Sequence, residues 1–572
     1  MVPKIVVLII AQVIVLLSTA AFIYDTSAAR GTHDTDSESS TSFIRSGSVF
    51  DSRPRKSVEE GEDVNFLTDN HGRQYVRAEI EAPLTAFGEV STSSLFPLIQ
   101  LQWPYTNNNR LTDTKLDGSG AVSVADSLIT LTTGTTASSD VLLSSVQEAE
   151  YHPGQGVQMR FGAAFDSTGI AGTEAVVGLG NEEDLLGFGY NGATFGILHR
   201  TGGKVEYRTL TFTTGSVTSA GTVTVTLDDV ATETEVTNAG STQNVAREVG
   251  ATSYVGWDTQ VVGSDVVFSS HLAETKSGTF TFTDTDTTGV ASTGGVTISV
   301  TGSAPTDTWI PQTSWNADQM NGTNTDGTNP TKMTLDPGKG NVYEIQYQDG
   351  FGDVLFGIEN VNTGHFHPVH RLKYANQNTT VNIQNPTLPA HAAVKNNLTT
   401  SPITIKLSEM SVFTEGEPSD IGLQNSAVGS RESYNFTTET SVLCIKNKPV
   451  FQNVENRTEY QPLSLTFSAN GAGAAKFTTL KIVENPVLGG DPVFTDVSTE
   501  TSIMSFDTAG TTLTGGNTLA AFEFGADVSN FPPIDLSHII TRQPPGHLLC
   551  FSALINGGTS DIDVGIIWRE FF

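Results

Sequence analysis

The chain has 572 residues, enough for about three or four ordinary domains with substantial cores. Its 30 Lys plus Arg against 62 Asp plus Glu give a net charge of -32, which repels phosphate backbones and argues against nucleic acid as a partner. Only 16% of residues are charged, so small neutral polar groups must cover most of the surface, and two cysteines are too few for a disulfide framework.

The first element is an uncharged run from Ile5 to Tyr24, preceded by Lys4. At a helical rise of about 1.5 Å per residue it matches a hydrocarbon core of roughly 30 Å. It reads as a retained transmembrane anchor or, because Ser27-Ala28-Ala29 offers a small-residue cleavage site, as a secretory signal. Either way the bulk of the chain crosses a membrane, with Lys4 left on the cytoplasmic side. Residues 25–76 follow as a flexible stalk, since a mixture of Ser, Asp, Glu and Arg without apolar periodicity cannot offset its ordering entropy by burial.

From Arg77 the pattern turns to period two, the signature of strands with one buried face. Val157, Met159 and Phe161 alternate with Gln158 and Arg160; Tyr343, Ile345 and Tyr347 with Glu344 and Gln346; Leu463, Leu465 and Phe467 with Ser464 and Thr466; Ile562, Val564, Ile566 and Trp568 close the chain in the same way. Asn191-Gly192 marks a tight hairpin with positive φ at both turn positions. One short helix is expected from Thr242 through Val249.

The expected fold is all-β: a multi-domain jelly-roll or β-sandwich ectodomain behind an N-terminal transmembrane helix. Thr/Val alternation sets residues 206–305 apart as a small β domain inserted into a sandwich whose two parts are 77–205 and 306–419. Residues 420–572 form a last module that carries Cys444 and Cys550, which either pair or remain two buried thiols. Sequons at Asn321, Asn378, Asn397, Asn435 and Asn456 suit an exported glycoprotein, although a Thr-rich and Asn-rich chain also produces such triplets by chance.

Few constellations could carry chemistry. His365 and His367 would share a strand face as metal ligands, but His370 falls on the other face and no third ligand is evident, so exposed edge histidines are expected. Residues 187–192, Gly-Phe-Gly-Tyr-Asn-Gly, spell a dinucleotide pattern with a hairpin where a helix is required. Asp284 and Asp286 lack the spacing of a calcium loop, and Glu182-Glu183-Asp184 could supply the carboxylate pair of a glycosidase only if it faces a cleft. No catalytic residue, cofactor or metal is assigned.

Several phrases occur together: Phe96-Pro97-Leu98-Ile99-Gln100-Leu101-Gln102-Trp103-Pro104-Tyr105, Tyr151-His152-Pro153-Gly154-Gln155-Gly156, Phe188 to Ile197, Thr308 to Asn316, and Leu335-Asp336-Pro337-Gly338-Lys339-Gly340. Over about Ala82 to Phe572 the chain resembles a group of β-rich virion structural proteins of large double-stranded DNA viruses, with relatives in tailed phages. The resemblance implies a virion structural role and transfers no catalytic residue. The N-terminal anchor departs from the phage pattern and suits a virus with a membrane beneath its capsid.

The expected function is therefore a membrane-tethered virion protein of the minor capsid, spike or fibre type. Its expected partners are other capsid proteins or host-surface glycans, and its location is the virion, otherwise the exterior or surface of a cell. A homo-oligomer stays open, since no sequence periodicity fixes one. The alternative is a carbohydrate-binding surface protein using Trp103, Tyr105, Trp309 or Trp315, although core packing is the favoured role of these rings because tryptophans flanking alternating strands usually plug sandwich cores; a secreted glycan hydrolase ranks below it.

Overall fold

The computed structural model describes residues 94–572 apart from 166–168, 216–220, 238–240, 285–289, 324–327, 398, 418–421, 435–437, 473–476, 526, 529–531 and 557. The anchor or signal (1–24), the stalk (25–76), Asp286 and Asn435 lie outside the described residues. Among the described residues no helix is long and apolar enough to cross a membrane.

The described chain is all-β, with antiparallel strands and one α-helix, and most of its strands form three layered pairs of sheets. In the first pair a 7-stranded sheet runs Thr306–Pro311, Thr194–Thr201, Leu185–Asn191, Thr173–Gly180, Leu388–Asn396, Ser139–Ala149, Thr112–Asp117. It faces an 8-stranded sheet built around Asn341–Tyr347, Val157–Phe165 and Thr404–Glu415. Phe188 from one sheet packs on Tyr343 and Phe356 from the other at ring-centroid distances of 4.9 and 5.4 Å, so the alternating apolar residues meet as a sandwich core. Trp103 and Trp315 belong to this core at 2% and 3% exposure, which removes both from any sugar-stacking surface. Trp309 is half-buried and Tyr105 is exposed.

Between Thr194–Thr201 and Thr306–Pro311, which are themselves paired, the chain leaves to build a 4-stranded and a 3-stranded sheet. Val223, Val225 and Leu227 point inward while their threonine neighbours point out, and Phe212 meets Phe282 across the two sheets at 5.4 Å. The helix Thr242–Gly250 closes this core with Val245, Ala246 and Val249; the Ser241 hydroxyl accepts from the Asn244 N–H and starts it.

The C-terminal residues form a 5-stranded and a 6-stranded sheet, with Phe467 stacked on Phe524 at 4.5 Å and Ile562, Val564, Ile566 and Trp568 fully buried. Cys444 and Cys550 lie directly opposite each other on adjacent strands and are joined as a disulfide that closes 106 residues. Replacing both by alanine is expected to cost about 2–5 kcal/mol, as for native disulfides that constrain long loops. A denaturant titration of the double variant, with unchanged native circular dichroism, checks this.

Three local expectations need correction. The hairpin turn falls one residue later than the Asn-Gly pair suggested, because Asn191 still pairs with Thr194, and left-handed φ is needed at Gly192 (φ 58) alone. Asn456 is buried, and its amide donates to Asn447 Oδ1 (2.7 Å) and the Lys448 carbonyl (2.6 Å), so that sequon offers no accessible nitrogen in the folded chain. Asn321, Asn378 and Asn397 are exposed. Finally, the "polar" face of Tyr343 to Tyr347 is not open: Glu344 and Gln346 are buried because Glu344 accepts from Gln158, Arg160 and Gln346 along that face.

Candidate functional site

The acidic triplet flagged in the sequence sits in the turn between Thr173–Gly180 and Leu185–Asn191, one strand pair of the first sandwich. Asn181 shapes that turn: its Oδ1 accepts from the N–H of Glu183 (2.9 Å) and of Asp184 (3.1 Å), an Asx turn that projects three successive carboxylates in different directions. All three are buried.

Glu182 stays within the first sandwich. Its Oε2 accepts from Lys395 and, at 3.2 Å, from Arg200, while Oε1 lies 3.5 Å from His391 Nε2. Burial works to raise its pKa, but the Lys395 and Arg200 charges prevail and hold it well below the usual carboxylate range. Arg200 is further clamped by Asp307 at 2.8 Å and Glu174 at 3.3 Å.

Glu183 reaches the other two modules. It accepts from the Val205 N–H at 2.6 Å, where the inserted domain begins, and from Arg457 of the C-terminal module. Arg457 also binds Glu455 at 3.1 Å, and Glu455 accepts from the Tyr207 hydroxyl at 2.7 Å. Burial and the Glu455 carboxylate push Glu183 up despite Arg457; Glu455, which burial alone would raise, is held down chiefly by Arg457. Asp184 ties down loops through backbone N–H groups of Gly202 (3.1 Å), Gln384 (3.2 Å) and Asn385 (3.3 Å).

More acids crowd the same junction. The Glu148 N–H donates to Glu459 Oε1 at 3.2 Å, and Glu148 Oε2 has no hydrogen-bond partner among the described residues. Burial pushes Glu148 well above its ordinary value and Glu459 to about 7. Glu150 pairs with Arg542. On the side of the inserted domain, His271 donates Nδ1 to Asp117 of the first sandwich (2.8 Å) and Nε2 to Asp258 (3.3 Å), and Lys115 pairs with Asp258 at 2.9 Å. A cavity of about 80 Å³ lies at this meeting point, lined in part by Lys115, Glu182, Tyr207, His271, His391 and Glu455.

The junction is thus a set of buried ion pairs, with acids in excess of cations, that holds three β modules together. Glu182 and Glu183 are each consumed by cations on different modules, so they do not face one another across a cleft as a glycosidase pair must. Sequence reasoning marked the triplet but missed Arg200, Lys395 and Arg457, whose separation from it gives no local signal.

The other flagged groups stay apart from this junction. His365 precedes the strand Phe366–Leu372, His367 Nε2 lies 3.3 Å from Asp318, and the buried His370 accepts from the Asn316 N–H at 3.2 Å. An extra residue between Pro368 and His370 changes the alternation and brings both inner histidines toward the 316–318 loop. No cluster able to hold a metal occurs among the described residues. Gly187 and Gly189 lie mid-strand with no room for a Cβ beside Val176, Val177 and Ala175, so the glycine pattern serves close strand packing. Asp284 ends the strand Thr281–Asp284.

No family model matches the chain, and no curated protein matches it. Among solved structures, a legume lectin-like domain from Entamoeba histolytica is 10% identical over 55% of this chain and 95% of that one, with a TM-score of 0.20. A botulinum neurotoxin type C structure, titled for cell entry through two ganglioside molecules, is 6% identical over 62% and 57% of the two chains, with a TM-score of 0.23. The Faustovirus major capsid protein is 7% identical over 82% and 91%, with a TM-score of 0.10. Scores this low carry no argument about ligand or lineage.

Proposed function

We propose that this chain is a virion structural protein of the minor capsid, spike or fibre type, tethered to a viral membrane through residues 1–24 and acting by contact with other capsid proteins or host-surface glycans. The observation that supports this reading is the junction at Glu183, which accepts from Val205 at the start of the insert and from Arg457 of the C-terminal module and so joins modules to one another. Such a body suits load-bearing display: loops and sheet edges are held in fixed relation by buried ion pairs. The acidic composition, with few charged residues among many small neutral polar ones, fits an exported setting.

Mass spectrometry of purified particles split with detergent tests the proposal. The chain is expected in the membrane-associated fraction, with peptides from residues 1–24 present if the anchor is retained. Complete absence from particles overturns the virion role. Glycan contact is the second reading, and it is favoured by Tyr105, which of the four aromatics expected to stack on sugars stays fully open to solvent.

A further inference from the structure

The outermost strand of the C-terminal 5-stranded sheet, Leu423–Tyr434, pairs with Thr559–Phe571 on one side, and no described strand pairs with its other side. Leu423 to Arg431 run opposite Glu570 to Ile562 without a register shift, so every second residue turns its backbone N–H and C=O outward in one regular row. Such a row is a template for another extended chain, and proteins ordinarily blunt it with charge, proline or a bulge. Other edges of this molecule are blunted in those ways. Pro368 and Pro311 sit on edge strands of the two large sheets, Asp113, Glu233 and Glu523 put exposed charges on three further edges, and the register of Val290–Val300 breaks around Gly294 and Gly295.

Leu423 to Ser430 carry neither a charge nor a proline. Gln424, Ser426, Val428 and Ser430 are exposed, with Val428 at 66% an open apolar side chain among small polar ones. A chain of net charge -32 repels its own copies, so two of them can meet only where the contact face is close to neutral. This edge is such a face. It is also self-complementary, because a two-fold axis makes identical strands antiparallel. With the axis at Val428, the solvent side sets Val428 opposite Val428, Ser426 opposite Ser430 and Gln424 opposite Glu432, while Asn425 falls opposite Arg431 on the other side. A β-branched pair, hydroxyl pairs and amide–ion pairs each favour a cross-strand contact, and no like charges stand face to face. An unrelated strand would have to supply all of these matches from its own sequence.

We propose that the edge strand Leu423–Tyr434 joins two copies of this chain about a two-fold axis at Val428, continuing the 5-stranded sheet of one copy into that of the other. The pairing is independent of the virion reading, so either can fail alone.

Sedimentation velocity of the full chain in detergent, over a range of protein concentrations, tests the proposal. A dimer is expected. Val428→Lys sets two like charges opposite each other on the axis and should weaken the dimer about tenfold or more, while its exposed position leaves the melting temperature unchanged. Cysteine cross-linking reads the register, since Cys444 and Cys550 are already bonded to each other and leave no native thiol to compete. Under mild oxidation Val428→Cys should link to its own copy, and Ser426→Cys should link only when mixed with Ser430→Cys. A chain that stays monomeric at every concentration overturns the inference, as does self-association that survives Val428→Lys. Cross-linking of Ser430→Cys to itself in preference to Val428→Cys overturns the assigned axis and with it the proposal.

Discussion

Raising the pH from 6.5 to 9 lowers the stability of the folded chain by loosening the contacts among its three modules. Glu148, Glu183 and Glu459 keep protons in the folded state that the unfolded chain, with a glutamate pKa of about 4.3, has released. Burial is the first cause in each case, and neighbouring carboxylates add to it. Stability from such groups is fully present near the unfolded value and is lost as the pH rises through the folded one, about 7 for Glu459. His271 has the same sign: burial disfavours its imidazolium, but hydrogen bonds to Asp117 and Asp258 raise it to about 9, so its contribution, complete below the unfolded value, fades toward pH 9.

Lys446 opposes them. Buried against the Val261 carbonyl, it is lowered to about 7, and its contribution rises with pH above that point. Below pH 6.5 the buried His199, His391 and His547, all lowered chiefly by burial, make stability fall as acid is added, so the alkaline limb is the clean window. Each unmatched proton contributes about 1.4 kcal/mol per pH unit. Urea midpoints measured between pH 6.5 and 9 should decline, and the pair Glu148→Gln with Glu459→Gln should flatten the decline. A midpoint that rises across this window contradicts the assignment.

Arg457→Met is expected to be the most damaging single substitution at the junction, costing about 3–5 kcal/mol because it leaves buried carboxylates without their cation. Glu455, Glu183 and Glu148 all depend on that guanidinium, which their charges hold well above its ordinary pKa against the effect of burial. Adding Glu455→Gln to Arg457→Met should recover part of the loss, because Glu455 is the carboxylate held ionised chiefly by Arg457, and a double-mutant cycle on denaturant midpoints measures how much. Lys339→Met, which breaks an exposed pair with Asp336, should leave the midpoint in place. Equal losses for the two substitutions would refute the structural weight given to Arg457.

The sandwich character was legible because burial imposes a two-residue period wherever one sheet face meets a core. Ile562, Val564, Ile566 and Trp568 follow it without exception. Leu463 does not, since the register shift between Pro462 and Ser464 breaks the alternation, and only Leu465 and Phe467 reach the core. Bulges of that kind have no fixed sequence sign. The helix was legible through its capping serine and apolar face. The junction was half legible: three adjacent acids in a turn stood out, but Glu183 meets Arg457 across 274 positions and Glu182 meets Lys395 across 213, and a single sequence carries no record of such pairings. Core packing, the favoured role of the tryptophans that flank alternating strands, holds for Trp103 and Trp315. Trp257 is core as well, in the inserted domain.

The order of strands in the 7-stranded sheet has a consequence for synthesis. Leu388–Asn396 lies between Ser139–Ala149 and Thr173–Gly180, and these two strands do not pair with each other. A ribosome therefore exposes both edges of an unfinished sheet while it makes the roughly 210 residues between Gly180 and the missing centre, an interval of about 10–40 s at 5–20 residues per second. The inserted domain is completed within that interval, beside a sandwich that cannot yet close. Productive assembly then depends on keeping two open edges from finding the wrong strand, which makes the nascent chain a natural client for holding chaperones.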